Sequence, residues 1–450
     1  MRTKFIYLSL SLSLIVFTKA IGQDTDPFNA GINKIKSGNF IEAVQLFNQA
    51  IEKNNANPDP AAFYNRGLAK YNLKDYLGAI GDFNRAIDLR SSYFEAYIAR
   101  GQSFAKREND LIAIQDFNEA IRLNPLEYSA YFSRGLSKKN LENYRGALSD
   151  FTKSIELNDE FGPSYAARGE CKAKILDFAG SLEDFTKAVK ISPKRASYLS
   201  GMAYAKMKLN DFSGAAEGFE KALENDSEDA NNWYFLGFCK SQLGQYSNTG
   251  GVEGAIACFN KSINLRANNP EAYYGRGFAK AKLGDVRGAL EDYSIAIAFN
   301  IPPKGKIKYS LKMTEEKLGA LRNTIQESYG MSEFIGNYNE IYFHRGVVGL
   351  KTGADKNALE DFNTSISFNP LYAPAYLLRA ISHSKMGDQY DAIHDCETTM
   401  ILEPKSNQAY FLKGIIQLSL DKPEGCLNLS KAGELGNSKA YEVIKDYCNK

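Results

Sequence analysis

The feature that most limits what this chain can fold into is a repeat of 34 residues. Gly31, Gly67, Gly101, Gly135, Gly169, Ala203, Gly237, Gly277, Gly346, Ala380 and Gly414 follow one another at spacings of 36, 34, 34, 34, 34, 34, 40, 69, 34 and 34. A fixed period of this size means one supersecondary unit stacked on copies of itself, each burying a face that it could not bury alone. Twelve residues after most of these positions stands a second small residue, as at Ala43, Ala79, Ala113, Ala147, Ser181, Ala215, Ala289, Ala358 and Ala392. Four further on is an aromatic (Phe47, Phe83, Phe117, Phe151, Phe185, Phe219, Tyr293, Phe362), and three beyond that another small residue. Offsets of four and three share one helical face. The small residues let two helices approach closely, and the aromatic fills the space between hairpins.

Each unit therefore reads as two helices joined by a polar turn with an aromatic after it, as in Lys74-Asp75-Tyr76, Glu142-Asn143-Tyr144 and Asn210-Asp211-Phe212. Several units close on a residue pair ending in proline, such as Asn124-Pro125 and Asn369-Pro370, which stops one hairpin where the next begins.

Small residue, helix, turn, Ala-x-x-x-Phe-x-x-Ala and Pro at this period resemble the tetratricopeptide repeat over nearly the whole chain, eleven units in phase. Tyr97 to Gly101, Tyr131 to Gly135, Tyr165 to Gly169, Tyr273 to Gly277 and Tyr342 to Gly346 also match the family's frequent Y-x-x-R-G variant. The resemblance implies an all-α, right-handed superhelical solenoid of antiparallel helix hairpins that binds a protein or peptide and catalyses nothing. It further implies a concave groove lined by the first helices. Carried over by position, the groove sites include Leu68, Phe132, Tyr204, Tyr234, Phe238, Tyr274, Phe278 and Phe343, with Lys208, Lys282 and Lys351 in a basic row along the edge. An aromatic floor with a lysine edge suits an extended segment bearing acidic groups; alternatively the aromatics pack between hairpins and the lysines only solvate the surface. The lysine, asparagine and arginine set with which some members of the family clamp a carboxylate tail has no counterpart that can be placed here.

The repeats also predict a contact. Arg66, Arg100, Arg134, Arg168, Arg276, Arg345 and Arg379 precede the small residue, and the same units carry Asp82, Asp116, Asp150, Asp184, Asp292, Asp361 and Asp395 sixteen residues later. Units without the arginine lack the aspartate as well: Met202 goes with Gly218, Leu236 with Cys258 and Lys413 with Leu429. This covariation predicts an ion pair joining the two helices of each hairpin rather than guanidinium groups presented to a ligand.

Residues 1–22 read as a signal peptide, with Arg2 and Lys4 at the start, an apolar run from Phe5 to Phe17 too short to span a bilayer, and small residues before the cleavage point. The expectation is an exported protein, periplasmic, in the cell envelope or secreted, without an integral membrane segment after cleavage. Losing Arg2, Lys4 and Lys19 takes the net charge from +2 to −1, a balance that calls for no nucleic acid. The mature array is expected as units one to eight over 23–300 and units nine to eleven over 338–425.

Three places break the pattern. Tyr246 to Gly251 lengthens the turn of the seventh unit. Residues 301–337 occupy one repeat's length but lack its signature, so either a degenerate hairpin fills a slot, the preferred reading, or a helical insertion interrupts the stack. At 426–450 the run from Lys431 to Ala440 resembles the ending of Sel-type helical repeats and predicts capping helices that turn at Gly436. That turn would set Cys426 opposite Cys448, as a disulfide or as two buried thiols. Cys171, Cys239, Cys258 and Cys396 read as core filler.

No motif for phosphate binding, nucleophilic catalysis or zinc occurs, no cofactor is expected, and His344, His383 and His394 read as surface or packing residues. The leading function is a non-enzymatic interaction scaffold. Its alternatives are a periplasmic holdase-type chaperone and an enzyme with an unrecognised site.

Overall fold

The computed structural model describes residues 26–248, 253–299 and 338–448. Among the described residues every regular element is an α-helix, and the helices pair into antiparallel hairpins. They form two compact bodies, divided after Asp177. The first holds α1 (Pro27–Lys36), α2 (Phe40–Lys53), α3 (Pro60–Asn72), α4 (Tyr76–Leu89), α5 (Phe94–Lys106), α6 (Asp110–Leu123), α7 (Tyr128–Asn140), α8 (Tyr144–Leu157) and α9 (Gly162–Lys174). The second opens with α10 (Phe178–Ile191), α11 (Ala196–Lys208), α12 (Phe212–Asn225), α13 (Ala230–Gln242), α14 (Ala255–Leu265), α15 (Pro270–Lys282) and α16 (Val286–Phe299). It continues with α17 (Tyr338–Lys351), α18 (Asp355–Phe368), α19 (Ala373–Met386), α20 (Gln389–Leu402), α21 (Asn407–Ser419), α22 (Glu424–Glu434) and α23 (Ser438–Tyr447).

The glycine of the first helix and the aromatic sixteen residues later set the distance between the two helices of a hairpin. A Cβ built on Gly101 would lie 2.7 Å from Phe117, and one on Gly346 would lie 2.8 Å from Phe362, so only glycine admits the ring here. The rings are fully enclosed, with Phe83, Phe151 and Phe362 at 0% exposure. Several second helices start from a side-chain cap: Asp75, Asn143, Asp211 and Asp285 accept from the backbone N–H of Gly78, Gly146, Gly214 and Gly288.

Six of the arginines lie against the aspartate of their own hairpin. Arg100 Nη2 is 2.6 Å from Asp116 Oδ1 while Nε donates to Oδ2 at 2.9 Å, and the same two-pronged contact recurs at Arg66–Asp82, Arg134–Asp150, Arg276–Asp292, Arg345–Asp361 and Arg379–Asp395. Arg168 and Asp184 belong to different bodies; within the first, Arg168 donates to Thr152 Oγ1 at 3.1 Å. Asp82, Asp150 and Asp292 each hold a second cation, Lys70, Lys138 or Lys280, at 2.8 Å. At Asp116 and Asp361 burial outweighs the single arginine and raises the carboxyl pKa.

The arginines have a second task that pairing within the hairpin does not reveal. The remaining prong, Nη1, reaches back to the preceding hairpin, where Asn48, Asn84, Asn118, Asn260 and Asn363 accept at 2.6–2.8 Å. Two units without the arginine keep a stitch by exchanging charge: Lys413 meets Glu397 at 2.8 Å and Lys240 meets Glu220 at 2.9 Å. One guanidinium thus ties its own hairpin and the one before it, so each such unit is fixed to a neighbour as it is closed.

At the long break, α16 packs directly on α17, and Arg345 reaches Ser294 at 3.5 Å, the position that asparagine holds in other units. The eighth and ninth hairpins are direct neighbours, and the expected degenerate hairpin or helical insertion falls on residues outside those described. The segment 300–337 itself lies outside the described residues, as do residues 1–25, with the whole expected signal, and 249–252 of the lengthened turn.

At the carboxyl end the chain turns at Gly436 (φ +97°) and α23 lies back over α22, packing Leu429, Ala432 and Ala440 with Val443 and Ile444. Cys426 and Cys448 are joined by a disulfide, with Cα atoms 5.9 Å apart. Cys171, Cys239, Cys258 and Cys396 are free and buried, and burial pushes the thiols of Cys171 and Cys258 up to about 11 and those of Cys239 and Cys396 to about 12. Such thiols carry little thiolate at neutral pH. Among the described residues no helix is long and apolar enough to cross a membrane.

Candidate functional site

In the second body the first helices of the seventh, eighth and ninth hairpins, α13, α15 and α17, frame a furrow. It consists of two cavities of about 190 and 300 Å³ that share Phe278 and His344. Tyr234, Phe238, Phe259, Tyr274 and Phe278 wall the first, with Glu340 and His344 from α17; Phe343, Val347, Leu378, Lys282 and Lys351 surround the second. Phe238 and Phe278 are half-buried, whereas Tyr234 is 7% exposed and forms the floor. Gly275 belongs to that floor for a steric reason, since a Cβ there would lie 2.5 Å from the Phe259 ring.

The expected groove residues do not all meet. Tyr234, Phe238, Tyr274, Phe278, Phe343, Lys282 and Lys351 line the furrow. Tyr204 and Lys208 do not; Tyr204 packs edge-on against Phe235 at 5.5 Å, with the Lys208 ammonium 5.3 Å over its ring. Nor does the basic edge stand wholly apart from the floor, because the Lys282 ammonium sits 5.2 Å over Phe278.

In the first body Leu68 and Phe132 are 6% and 3% exposed, whereas Tyr64 and Leu136 are half-buried. Two of these positions meet an aromatic residue just before the next hairpin: Tyr93 packs on Tyr64 at 5.0 Å and Phe161 on Phe132 at 5.1 Å. Tyr372 covers Phe343 in the same way at 5.1 Å. Over Tyr234 the corresponding residue is Asn269, which is buried and turned to Ser262 at 2.8 Å. For Tyr274 it is Tyr338, which stacks on Phe368 of its own hairpin at 5.7 Å. Over Tyr234, on the floor of the first cavity, no aromatic stands at this position.

Four polar residues of the furrow escape sequence reasoning: Ser241, Gln242, Glu340 and His344. His344 lies among Tyr274, Phe278 and Phe343, with ring centroids 5.3–6.0 Å away; burial, aided by the nearby Lys282 ammonium, pushes its imidazole down to about 4. It is a neutral, flat wall at neutral pH. Glu340 stands in the first turn of α17 with its pKa raised by burial, and no hydrogen bond or ion pair from the described residues reaches its carboxylate. Burial likewise raises the pKa of Tyr234 and Tyr274. Only the position of His344 was readable in advance, since it takes the place of Ala99, Ser133 or Gly275 in other units.

Tetratricopeptide repeat models match residues 28–94 and 128–161, and a model described as TPR repeat matches 246–284. No curated protein matches the chain. Among solved structures it is similar to a tetratricopeptide repeat protein from Parabacteroides merdae at 18% identity, covering 56% of this chain and 97% of that one with a TM-score of 0.42. It is also similar to the C-terminal part of a TPR repeat-containing protein from Cytophaga hutchinsonii, at 20% identity over 55% and 98% of the two chains with a TM-score of 0.44. Yeast Tom70 matches at 14% identity over 93% of each chain with a TM-score of 0.37. With its 34-residue hairpins and three family matches, the chain is a tetratricopeptide repeat protein.

Proposed function

We propose that this protein is a non-catalytic interaction scaffold, exported from the cytoplasm, that holds an extended segment of a partner protein in the furrow between α13, α15 and α17. The observation that carries the reading is the furrow itself: two adjoining cavities above the buried ring of Tyr234, with the half-buried rings of Phe238 and Phe278 in their walls. Half-buried aromatic side chains in a depression large enough to take another side chain supply the kind of anchor on which peptide affinity concentrates. The Lys282 and Lys351 ammonium groups at one end favour a partner with an acidic group there. Export is proposed from the charged start and apolar run of residues 1–22.

Affinity capture from cell-envelope extract, comparing wild type with a Phe238→Ala/Phe278→Ala variant, tests this. Both residues are half-buried, so the variant is expected to keep its helical circular dichroism. Loss of a defined partner at fixed stoichiometry supports the scaffold. Loss of many unrelated clients, together with lost suppression of their aggregation, would assign the same furrow to a holdase-type chaperone. Unchanged capture would move the interaction away from the furrow.

A further inference from the structure

The two ends of the furrow differ in charge, and the difference tells what side chain the first cavity accepts. Lys282 and Lys351 border the second cavity, whereas among the described residues the sole carboxylate lining the first is Glu340. With His344 neutral, the described lining of the first cavity has one negative group, beside the rings of Tyr234, Phe238, Tyr274 and Phe278. A half-buried carboxylate with no paired cation among the described residues is costly, because it has lost water for which the helix N-terminus compensates only in part. A cation would restore that loss, and the faces of surrounding aromatic rings favour it further through their quadrupoles.

We propose that the first cavity is a subsite for a basic side chain, lysine or arginine, of the bound segment, with Glu340 as its counter-ion and the tyrosine and phenylalanine rings as its walls. This rests on the furrow being the peptide-binding site. It adds that the bound segment is bipolar, with a basic residue anchored at Glu340 and an acidic residue toward Lys282 and Lys351. An acidic side chain in the first cavity would face the Glu340 carboxylate at short range and be rejected.

The test is selection of a random decapeptide display library on the intact protein, followed by fluorescence anisotropy of the enriched peptides with wild type, Glu340→Gln and Phe238→Ala/Phe278→Ala. Glu340→Gln is nearly isosteric and is expected to leave thermal unfolding unchanged. The expected result is peptides sharing one Lys or Arg, weakened at least about tenfold by Glu340→Gln and to the same degree by replacing that Lys or Arg with Gln. Combining both changes should add little more. Peptides that need Phe238 and Phe278 but share no basic residue, and are indifferent to Glu340→Gln, would overturn this inference and leave the furrow as a binding site. Absence of any enriched peptide dependent on Phe238 and Phe278 would overturn both.

Discussion

The inner positions of the third and fourth hairpins, in the first body, and those of the seventh to ninth, in the second, are built on one plan but reach different ends. In the third, fourth, eighth and ninth, arginine and aspartate close the hairpin and an asparagine or serine of the preceding unit receives the third prong, whereas in the seventh Leu236 and Cys258 take their places and Lys240 reaches back to Glu220. In the first body Phe161 seals Phe132; in the second, Asn269 leaves Tyr234 facing a cavity. The comparison teaches that an array of like hairpins can open a site where one residue changes in the short connection before a hairpin.

If the frame is common to both regions, its removal should cost the same in each. Arg100→Ala and Arg345→Ala each strand a buried aspartate that no second cation holds, and both are expected to lose about 3–5 kcal/mol in chemical denaturation, with part regained when the aspartate is also changed to Ala. A large difference between the two would break the comparison. The floor residues should instead diverge. Phe132→Ala opens a cavity in a closed core and should cost about 3–5 kcal/mol, whereas Phe278→Ala removes a half-buried ring and should cost about 1–2 kcal/mol, measured the same way.

The next effect belongs to the furrow alone. Folding lowers the His344 pKa from 6.5 to about 4. Between these values the unfolded chain takes up a proton that the folded chain refuses, so this contribution is complete above pH 6.5 and is lost as pH falls toward 4. Wild type should lose about 1–3 kcal/mol more than His344→Leu over that window, read from denaturation at each pH. Smaller still is the effect of closing the furrow. Asn269→Tyr places an aromatic where Tyr93 and Phe161 stand in the first body, and should weaken a furrow-dependent peptide about tenfold at a stability cost of about 1 kcal/mol from the lost cap.

Much of this was legible in the sequence because it repeats. The hairpins, the glycine beneath each aromatic and the Arg–Asp spacing each recur often enough for their pattern to exclude chance. The Arg–Asn stitch was present at the same period, at Asn84, Asn118, Asn260 and Asn363, but an asparagine on an exposed helical face carries no mark of its partner. The packing of α16 on α17 could not be read from the 69-residue spacing, because it depends on the ends of the intervening segment, not on its length. The furrow was legible only in part. Position fixed Tyr234, Tyr274 and Phe278, while their cover or exposure depended on the residue before the next hairpin. Glu340 shares its repeat position with Glu95 and Glu271, so position alone does not single it out, and its meaning comes from the rings beside it.

The most direct test of the central claim, that binding is confined to the furrow, is photocrosslinking with benzoylphenylalanine at Phe278 and, separately, at Leu136, the same repeat position in the first body, in protein recovered with its partners. The account predicts a discrete crosslinked species from position 278 that disappears in Asn269→Tyr, and none from position 136. Equal crosslinking from both positions, or crosslinking from 136 alone, would contradict it.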